Sequence, residues 1–525
     1  MLVVGVATAQ WLPGGNAVCD TSINGVIDPL PKIASDEEGG AYICWRDVRD
    51  SLGGYGIYAQ HVDSTGKMLW RVNGIPIVQA NNNQEFQRIT PDGKGGAYIA
   101  WEDSRIQNTF VYVQRVDKQG NCLWQANGIK AAETPGLFIS IASSIQYGIV
   151  LGWSTVSDAY VQRLNNMGNR MWGDSGVQLT NRPENVSSND VEIISGGVGG
   201  GIVAWMEGGK AYAQRVDSSG RVCWIQNGIL LSDPALSGGG IALCSDAKGG
   251  AIVNWNYSNS TGAAQRVNGD GRIIWQTGGV QLDSSGTGGA KRNSPDGKGG
   301  AFVGKGLNIH HIDSLGNKLW GSGVPYFDTL GTTNSSQVYD GIGGVYNFTQ
   351  AFKNGEGFFI RAQWIDSTGK IQFGTKGIKV TPNLTIGSQM WPSATTDKKG
   401  RAIVCWEDYR SGYAAVYAGI IDTSERITLV RNETQLLPQS PFLEQNYPNP
   451  FNPTTRIGFI VHVAGFTSLK VYDILGRQVE TLVNDIRQPG KYSMTFDSSK
   501  ISSGVYFYRF ISNGFVETKK MIVQK

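Results

Sequence analysis

Internal repetition constrains this chain more than any other feature. A glycine followed by a short apolar run returns at Gly40, Gly96, Gly148, Gly200, Gly250, Gly300 and Gly344, with Arg401 in the same register at the end. The spacing is about 52 residues, a period that belongs to propellers, solenoids and arrays. In its first copy the unit opens Gly39-Gly40-Ala41-Tyr42-Ile43-Cys44-Trp45 and closes Asp63-Ser64-Thr65-Gly66-Lys67-Met68-Leu69-Trp70.

Four short extended pieces are expected in each unit. In the second copy they are residues 87–92 (QRITPD), 97–101 (AYIAW), 110–116 (FVYVQRV) and 121–124 (NCLW). Tyr, Val, Ile and Trp favour the pleated sheet, and glycines mark the corners between the pieces. Four antiparallel strands in this length make one propeller blade. The closing Trp recurs at Trp70, Trp124, Trp172, Trp224, Trp275 and Trp320, with Phe373 in the seventh copy, but the eighth copy has none. The segment from Trp11 to Val18 matches that from Trp70 to Val78 in its Trp, Gly and Val spacing. The N-terminus is therefore expected to supply the outer strand of an eighth blade, closing the ring and removing an open edge.

Charge and hydropathy exclude some partners. The net charge is +3, with +4 on residues 443–525 and −1 on the rest, so no basic field points to nucleic acid. No run of eighteen apolar residues occurs, so no membrane-spanning helix is expected. Residues 1–9 (MLVVGVATA) end in small residues before Gln10, the shape of a signal-peptide tail, although a charged leader is absent. Two readings stand: a clipped export signal, or the first strand of a mature chain.

The six cysteines are Cys19, Cys44, Cys122, Cys223, Cys244 and Cys405. Four of them lie in strands beside the repeat tryptophans and read as small buried hydrophobes. Cys44 and Cys405 share a register in neighbouring blades, which leaves a bridge between them open. No CxxC or Cys/His cluster suggests a metal site, and no cofactor is implied. The turn Asp63-Ser64-Thr65-Gly66 returns in seven copies and reads as architecture, its side-chain oxygen taking backbone amides.

Function is sought where the repeat is uneven. After the second-strand Trp, the first copy reads Arg46-Asp47-Val48-Arg49, the second Glu102-Asp103-Ser104-Arg105 and the eighth Glu407-Asp408-Tyr409-Arg410. The other five copies lack the Asp and Arg. These three blades are contiguous once the ring closes, on the face carrying the long connections between blades. Asp47, Arg49, Glu102, Asp103, Arg105, Glu407, Asp408 and Arg410 thus form a candidate binding arc, suited to a glycan or an acidic partner through the arginine forks. The competing reading makes each Asp-Arg pair an internal brace of its own blade. Lys32, Arg88 and Arg292 share an inner-strand register, but Ala242 and Ser336 occupy it elsewhere, so no ring of charge is expected. His61 and His311 stand where Arg is usual, and His310 where Gln is; all three read as surface or packing residues. No catalytic constellation or nucleotide loop can be picked out.

The closing Thr-Gly-Lys-Met-Leu-Trp, once per blade, resembles the tryptophan-docking motif of quinoprotein propellers, although the Asp lies one residue nearer the Gly. It distantly resembles the Asp-box of sialidases. In both families the motif packs blades together. The quinoprotein site also carries a vicinal disulfide, and no two cysteines here are adjacent, so the resemblance implies architecture and not redox chemistry. The whole unit is similar to Trp-rich repeats common in exported proteins of Bacteroidetes-like bacteria.

Residues 429–446 lose the repeat and read as a linker. Beyond them stand Tyr447-Pro448-Asn449-Pro450-Phe451-Asn452-Pro453, then Leu469 to Arg477 with Gly476, then Ser503-Gly504-Val505-Tyr506 and a Lys-rich end. These blocks closely resemble the type A C-terminal sorting domain of the type IX secretion system. The alternation of Ile457, Phe459, Val461, of Leu469, Val471 and of Val505, Phe507 between Asn, Gly and Pro corners fits a small sandwich. The fold class expected is all-β: an eight-bladed β-propeller over 10–428 and an Ig-like β-sandwich over 447–525. The resemblance implies recognition by the type IX translocon and a sortase, and a secreted or outer-membrane surface location in a Gram-negative bacterium. The function expected is a binding or adhesion module for a glycan or envelope protein. A polysaccharide-active hydrolase or lyase working at the channel mouth and a structural envelope protein are the alternatives.

Overall fold

A computed structural model of the chain describes residues 11–524 except 13, 21–27, 50–52, 145, 182–187, 260, 283–291, 328–331, 354–356, 382–387, 423–440, 462–464 and 488–489. The segment 1–9 and linker residues 429–440 lie outside the described residues. The chain divides into two compact units after Glu425.

In the first unit, the described residues form eight four-stranded antiparallel sheets and no helix. Sheet 1 comprises Lys32–Ser35, Ala41–Asp47, Gly56–Val62 and Ile75–Val78. Sheet 2 comprises Gln84–Pro91, Ala97–Asp103, Phe110–Val116 and Ile129–Lys130. Sheets 3 to 7 repeat this meander, opening with Leu137–Ser144, Ser188–Ser195, Gly238–Ser245, Arg292–Pro295 and Thr332–Tyr339. Sheet 8 takes Gln389–Thr396, Arg401–Asp408 and Ala415–Asp422 from the end of the unit and Asn16–Cys19 from its beginning. These last two pair antiparallel, Asn16 opposite Ala418. The first strand of each sheet touches the first strand of the next, and that of sheet 8 touches that of sheet 1. The succession thus closes on itself in a propeller-like architecture with the first strands innermost.

Local chemistry explains the unit. Its second and third strands are buried along almost their whole length, with Trp45, Trp101, Trp153, Trp205, Trp255 and Trp406 fully enclosed between sheets. A Cβ at Gly40 or Gly96 would collide with the carbonyl of Val62 or Val116, the last residue of the third strand, so only glycine fits there. Each closing Trp docks on the turn of the following sheet: Trp70 Nε1 donates to Lys118 O at 3.0 Å and Trp172 Nε1 to Ser218 O at 3.2 Å. Trp11 does the same from sheet 8 to Ser64 O of sheet 1, at 3.1 Å. In the Asp turn, Asp63 Oδ1 accepts the Thr65 and Lys67 amides at 2.8 and 3.0 Å.

Two expectations are corrected here. The fourth strand of sheet 2 is Ile129–Lys130 and not residues 121–124, of which Cys122 makes only an isolated bridge to Val116. The Trp docks across to the next sheet, and the chain must turn once more before it can pair. Cys122 and Cys223 are consequently exposed, whereas Cys19, Cys44, Cys244 and Cys405 are buried; all six are free thiols.

The second unit packs Phe442–Leu443, Thr454–Val461 and Gly490–Asp497 in one sheet and Gln478–Arg487, Gly465–Tyr472, Gly504–Ser512 and Phe515–Val523 in another. Ile457, Phe459, Val461, Leu469 and Val471 enter the core between them. In Gly504–Ser512 the inward residues are Tyr508 and Phe510, while Val505 is exposed and Phe507 half-buried, opposite to the expected face. Period two admits either phase, and burial of the larger pair selects this one. The Tyr-Pro-Asn-Pro-Phe-Asn-Pro segment latches the last strand. Phe451 is buried and trades amide bonds with Ile522 O and Gln524 N, each at 3.1 Å, and Asn449 Oδ1 accepts from Ile522 N at 2.9 Å. Pro453 O accepts from Ser498, the Gly476 amide closes its turn on Asp473 O, and Tyr506 donates to Ser502 O. Tyr447 is 81% exposed. No helix among the described residues is long and apolar enough to cross a membrane.

Candidate functional site

The Asp and Arg of the uneven arc lie within their own sheets. Asp47, Asp103 and Asp408 are buried at the end of the second strand, and each accepts from the indole two residues before it: Trp45 at 3.2 Å, Trp101 at 2.6 Å and Trp406 at 2.7 Å. Each also binds the Arg two residues on, through Nε of Arg49 at 2.7 Å, Arg105 at 2.8 Å and Arg410 at 2.9 Å. The guanidinium then reaches a carbonyl ahead of the fourth strand: Asn73 O at 2.8 Å, Asn127 O at 2.9 Å and Gly14 O at 2.8 Å. It also lies over Tyr58, Tyr112 or Tyr417 at 4.1, 4.1 and 3.9 Å. Trp, Asp, Arg and Tyr thus brace three strands of one sheet. Where the pair is missing, in sheets 3 and 5, the Trp153 and Trp255 indole N–H groups are buried without a partner among the described residues.

The same face carries a second feature, absent from the sequence reading. At the start of the innermost strand a residue with positive φ recurs, and in sheets 2, 3, 4, 5, 7 and 8 it sits in a β-bulge. In sheets 8, 1, 2 and 3 that residue is Trp391 (54°), Leu30 (45°), Phe86 (51°) and Phe138 (55°). In sheets 4, 5 and 7 it is Asp190 (49°), Gly240 (69°) and Asn334 (31°). The sheet 6 counterpart, Ala290, lies outside the described residues. Asp, Gly and Asn tolerate this left-handed conformation; a bulky side chain adopts it at a cost of about 1 kcal/mol or more. Phe86 and Phe138 are nevertheless 51% exposed and Trp391 38% exposed, so burial does not offset the strain. Strain of this kind collects at functional sites.

Two carboxylates hold this edge. Glu102 pairs with Glu85 across sheet 2, and its Oε1 accepts the Phe138 amide of sheet 3 at 2.8 Å. Gln350 does likewise for Trp391, at 3.1 Å. Burial pushes the Glu102 carboxyl up to about 7, against the opposing Phe138 amide and Arg88 charge. Glu407 is fully buried, takes the Tyr409 hydroxyl at 2.5 Å, and has no partner for Oε2 among the described residues. Burial first, with Asp28 nearby, pushes it also to about 7. Between them Arg46 is held at all three nitrogens: Nε donates to Asp28 O at 2.7 Å, Nη1 to Glu85 at 2.6 Å, Nη2 binds the Asp28 carboxylate, and Tyr55 covers the plane. A Glu directly after the second-strand Trp is the sequence signal for this pair. The bulge itself has none, because Phe, Trp and Leu do not announce positive φ.

His61 and His311 are buried, each with Nε2 on the hairpin carboxylate, Asp36 at 2.9 Å and Asp296 at 3.1 Å, where Arg115 holds Asp92 in sheet 2. His310 is also buried, so the packing role holds for all three and the surface role does not. Lys32 opens the innermost strand of sheet 1, and burial followed by Arg88 lowers its pKa. Among the described residues no three His, Cys, Asp or Glu side chains converge on a metal site.

Residues 445–524 match the secretion system C-terminal sorting domain. The chain therefore carries the tail that marks cargo exported by the type IX secretion system to the cell surface or the medium. No curated protein matches the chain. Among solved structures it is similar to a protein of unknown function from Dyadobacter fermentans, at 11% identity and TM-score 0.37 over 78% of this chain and 100% of that one. It is also similar to a Penicillium chrysogenum α-L-arabinanase solved with arabinobiose, at 10% identity and TM-score 0.34 over 65% and 94% of the two chains. A Fusarium graminearum α-L-arabinofuranosidase gives 11%, 0.34, 65% and 94%. Likenesses this weak bear on no function here.

Proposed function

We propose that the chain is an exported binding or adhesion module: an eight-bladed β-propeller over residues 10–428, a linker over 429–446, and an Ig-like sorting domain over 447–525 addressed by the type IX translocon and sortase. The observation that carries the binding role is the run of strained, exposed aromatic residues Trp391, Phe86 and Phe138, with the strained but half-buried Leu30 between them, on four adjoining sheets of one face. A purely architectural bulge needs none of them, since Asp190, Gly240 and Asn334 serve elsewhere. The closed succession of eight sheets and the Trp11 dock support the blade count. In this reading Asp47, Arg49, Asp103, Arg105, Asp408 and Arg410 stiffen the face from behind, and Glu102 and Glu407 stand at the mouth.

A second reading, a polysaccharide hydrolase or lyase, is favoured by Glu102 and Glu407 alone. A carboxyl that holds its proton near pH 7 is suited to general acid work. The full chain, immobilised and exposed to a solubilised outer-membrane fraction and to a polysaccharide panel, separates the two. Retention without new reducing ends supports the module. New reducing ends that disappear in Glu102→Gln or Glu407→Gln replace it with the enzyme.

A further inference from the structure

We propose that the mouth of sheets 8, 1, 2 and 3 binds a neutral polysaccharide chain, with Trp391, Phe86 and Phe138 as stacking platforms for successive sugar rings; this rests on the binding role proposed above. The negative face of an aromatic ring meets the C–H face of a pyranose well, and such stacking tolerates a flexible chain. Each platform belongs to the same position of its own sheet, so the rings recur with the repeat and suit a ligand that also repeats. A folded protein partner would instead need one contiguous apolar core. Around the rings stand groups that hydrogen-bond to hydroxyls: the carboxylates of Asp28 and Glu85, both partly exposed, and the Tyr409 hydroxyl.

The charges at this edge argue against an acidic polymer. Arg46 is held by Asp28 and Glu85, and Arg88 turns Nη1 back onto the carbonyls of Phe86 and Gln87 at 3.3 and 3.2 Å. Lys32, at the start of the innermost strand of sheet 1, has its ammonium form disfavoured by burial and by Arg88. Arg46 therefore offers no free bidentate fork of the kind a carboxylated or sulfated chain requires. The opposite side of the mouth, with Asp190, Gly240 and Asn334, presents no ring at the corresponding positions.

The test is affinity electrophoresis of the full chain in gels containing soluble β-glucan, xylan or mannan, with polygalacturonate as the acidic contrast. The variants are Phe86→Gly, Phe138→Gly and Trp391→Gly, singly and together. Glycine takes the left-handed backbone without strain, so each should melt above its alanine counterpart and remain folded. The parent should be retarded by at least one neutral polymer, the triple variant should bind at least tenfold more weakly, and Asn334→Gly should bind like the parent. Equal retardation of parent and triple variant overturns the proposal, as does loss in Asn334→Gly or retardation by polygalacturonate alone. If no polysaccharide retards the parent but an outer-membrane fraction is still retained, this ligand class falls and the binding role survives. If nothing is retained, both fall.

Discussion

At the positive-φ position that opens the innermost strand, sheets 8, 1, 2 and 3 carry Trp391, Leu30, Phe86 and Phe138, whereas sheets 4, 5 and 7 carry Asp190, Gly240 and Asn334. The backbone makes the same turn in both halves, so the geometry belongs to the repeat. Only the side chains differ, and the first set is the more strained and, at the three aromatic positions, exposed apolar surface. Three of the same four sheets, 8, 1 and 2, also hold the Trp-Asp-Arg-Tyr brace. One half of the ring is thus stiffened behind a strained edge, and the other is a plain scaffold.

The comparison predicts unequal responses to mutation. The largest effect belongs to the braces. Asp103→Ala leaves the Trp101 indole without its acceptor and the Arg105 guanidinium without its counter-charge, with only Asn127 O remaining, and should cost about 3–5 kcal/mol in urea unfolding, with Asp47→Ala and Asp408→Ala alike. In sheet 5, where the Trp255 indole already lacks a partner, no comparable loss is available. An Asp103→Ala loss below about 1 kcal/mol would erase the distinction between the halves.

Next comes pH. Folding raises Glu102 and Glu407 from the ordinary 4.5 to about 7, so the folded chain keeps protons that the unfolded chain releases in that window. Stability should be highest below the window and fall as pH rises through it, by up to about 3 kcal/mol per group. Glu407→Gln should flatten part of that slope in melting curves between pH 5 and 8 and raise Tm at pH 8. A slope unchanged in both Gln variants would place these protons elsewhere.

The smallest effect is the swap of bulge residues. Asn334→Phe should destabilise by about 1 kcal/mol because it brings a bulky side chain to positive φ, while Phe86→Asn should be close to neutral. A loss in Phe86→Asn as large as that in Asn334→Phe would mean that Phe86 is held by packing after all.

Much of the fold was legible because the repeat dictates it. All-β structure, four strands per unit and the role of the second glycine follow from Gly, Trp and alternating β-formers. The tail was legible for a different reason, since Phe451 and Asn449 lie in one contiguous segment that grips the last strand. The fourth strand was misplaced because Trp124 docks on the next sheet and the chain turns once more before pairing, whereas the face of Gly504–Ser512 was reversed because a period of two fits either phase until packing selects one. The site was less legible. The Asp and Arg stood out by type, but only coordinates reveal that their partners are Trp45, Trp101 and Trp406 on the same strand. Positive φ at Trp391, Phe86 and Phe138 is imposed by register against the second strand, and no local propensity encodes it.

Hydrogen exchange of the full chain with and without soluble β-glucan, xylan and mannan, or with a solubilised outer-membrane fraction, tests the central claim most directly. The account predicts slower exchange at residues 28–32, 84–88, 137–140 and 389–393, and none at 190–194, 238–242 or 334–338. Protection confined to sheets 4 to 7, or to the outer rim, would contradict it.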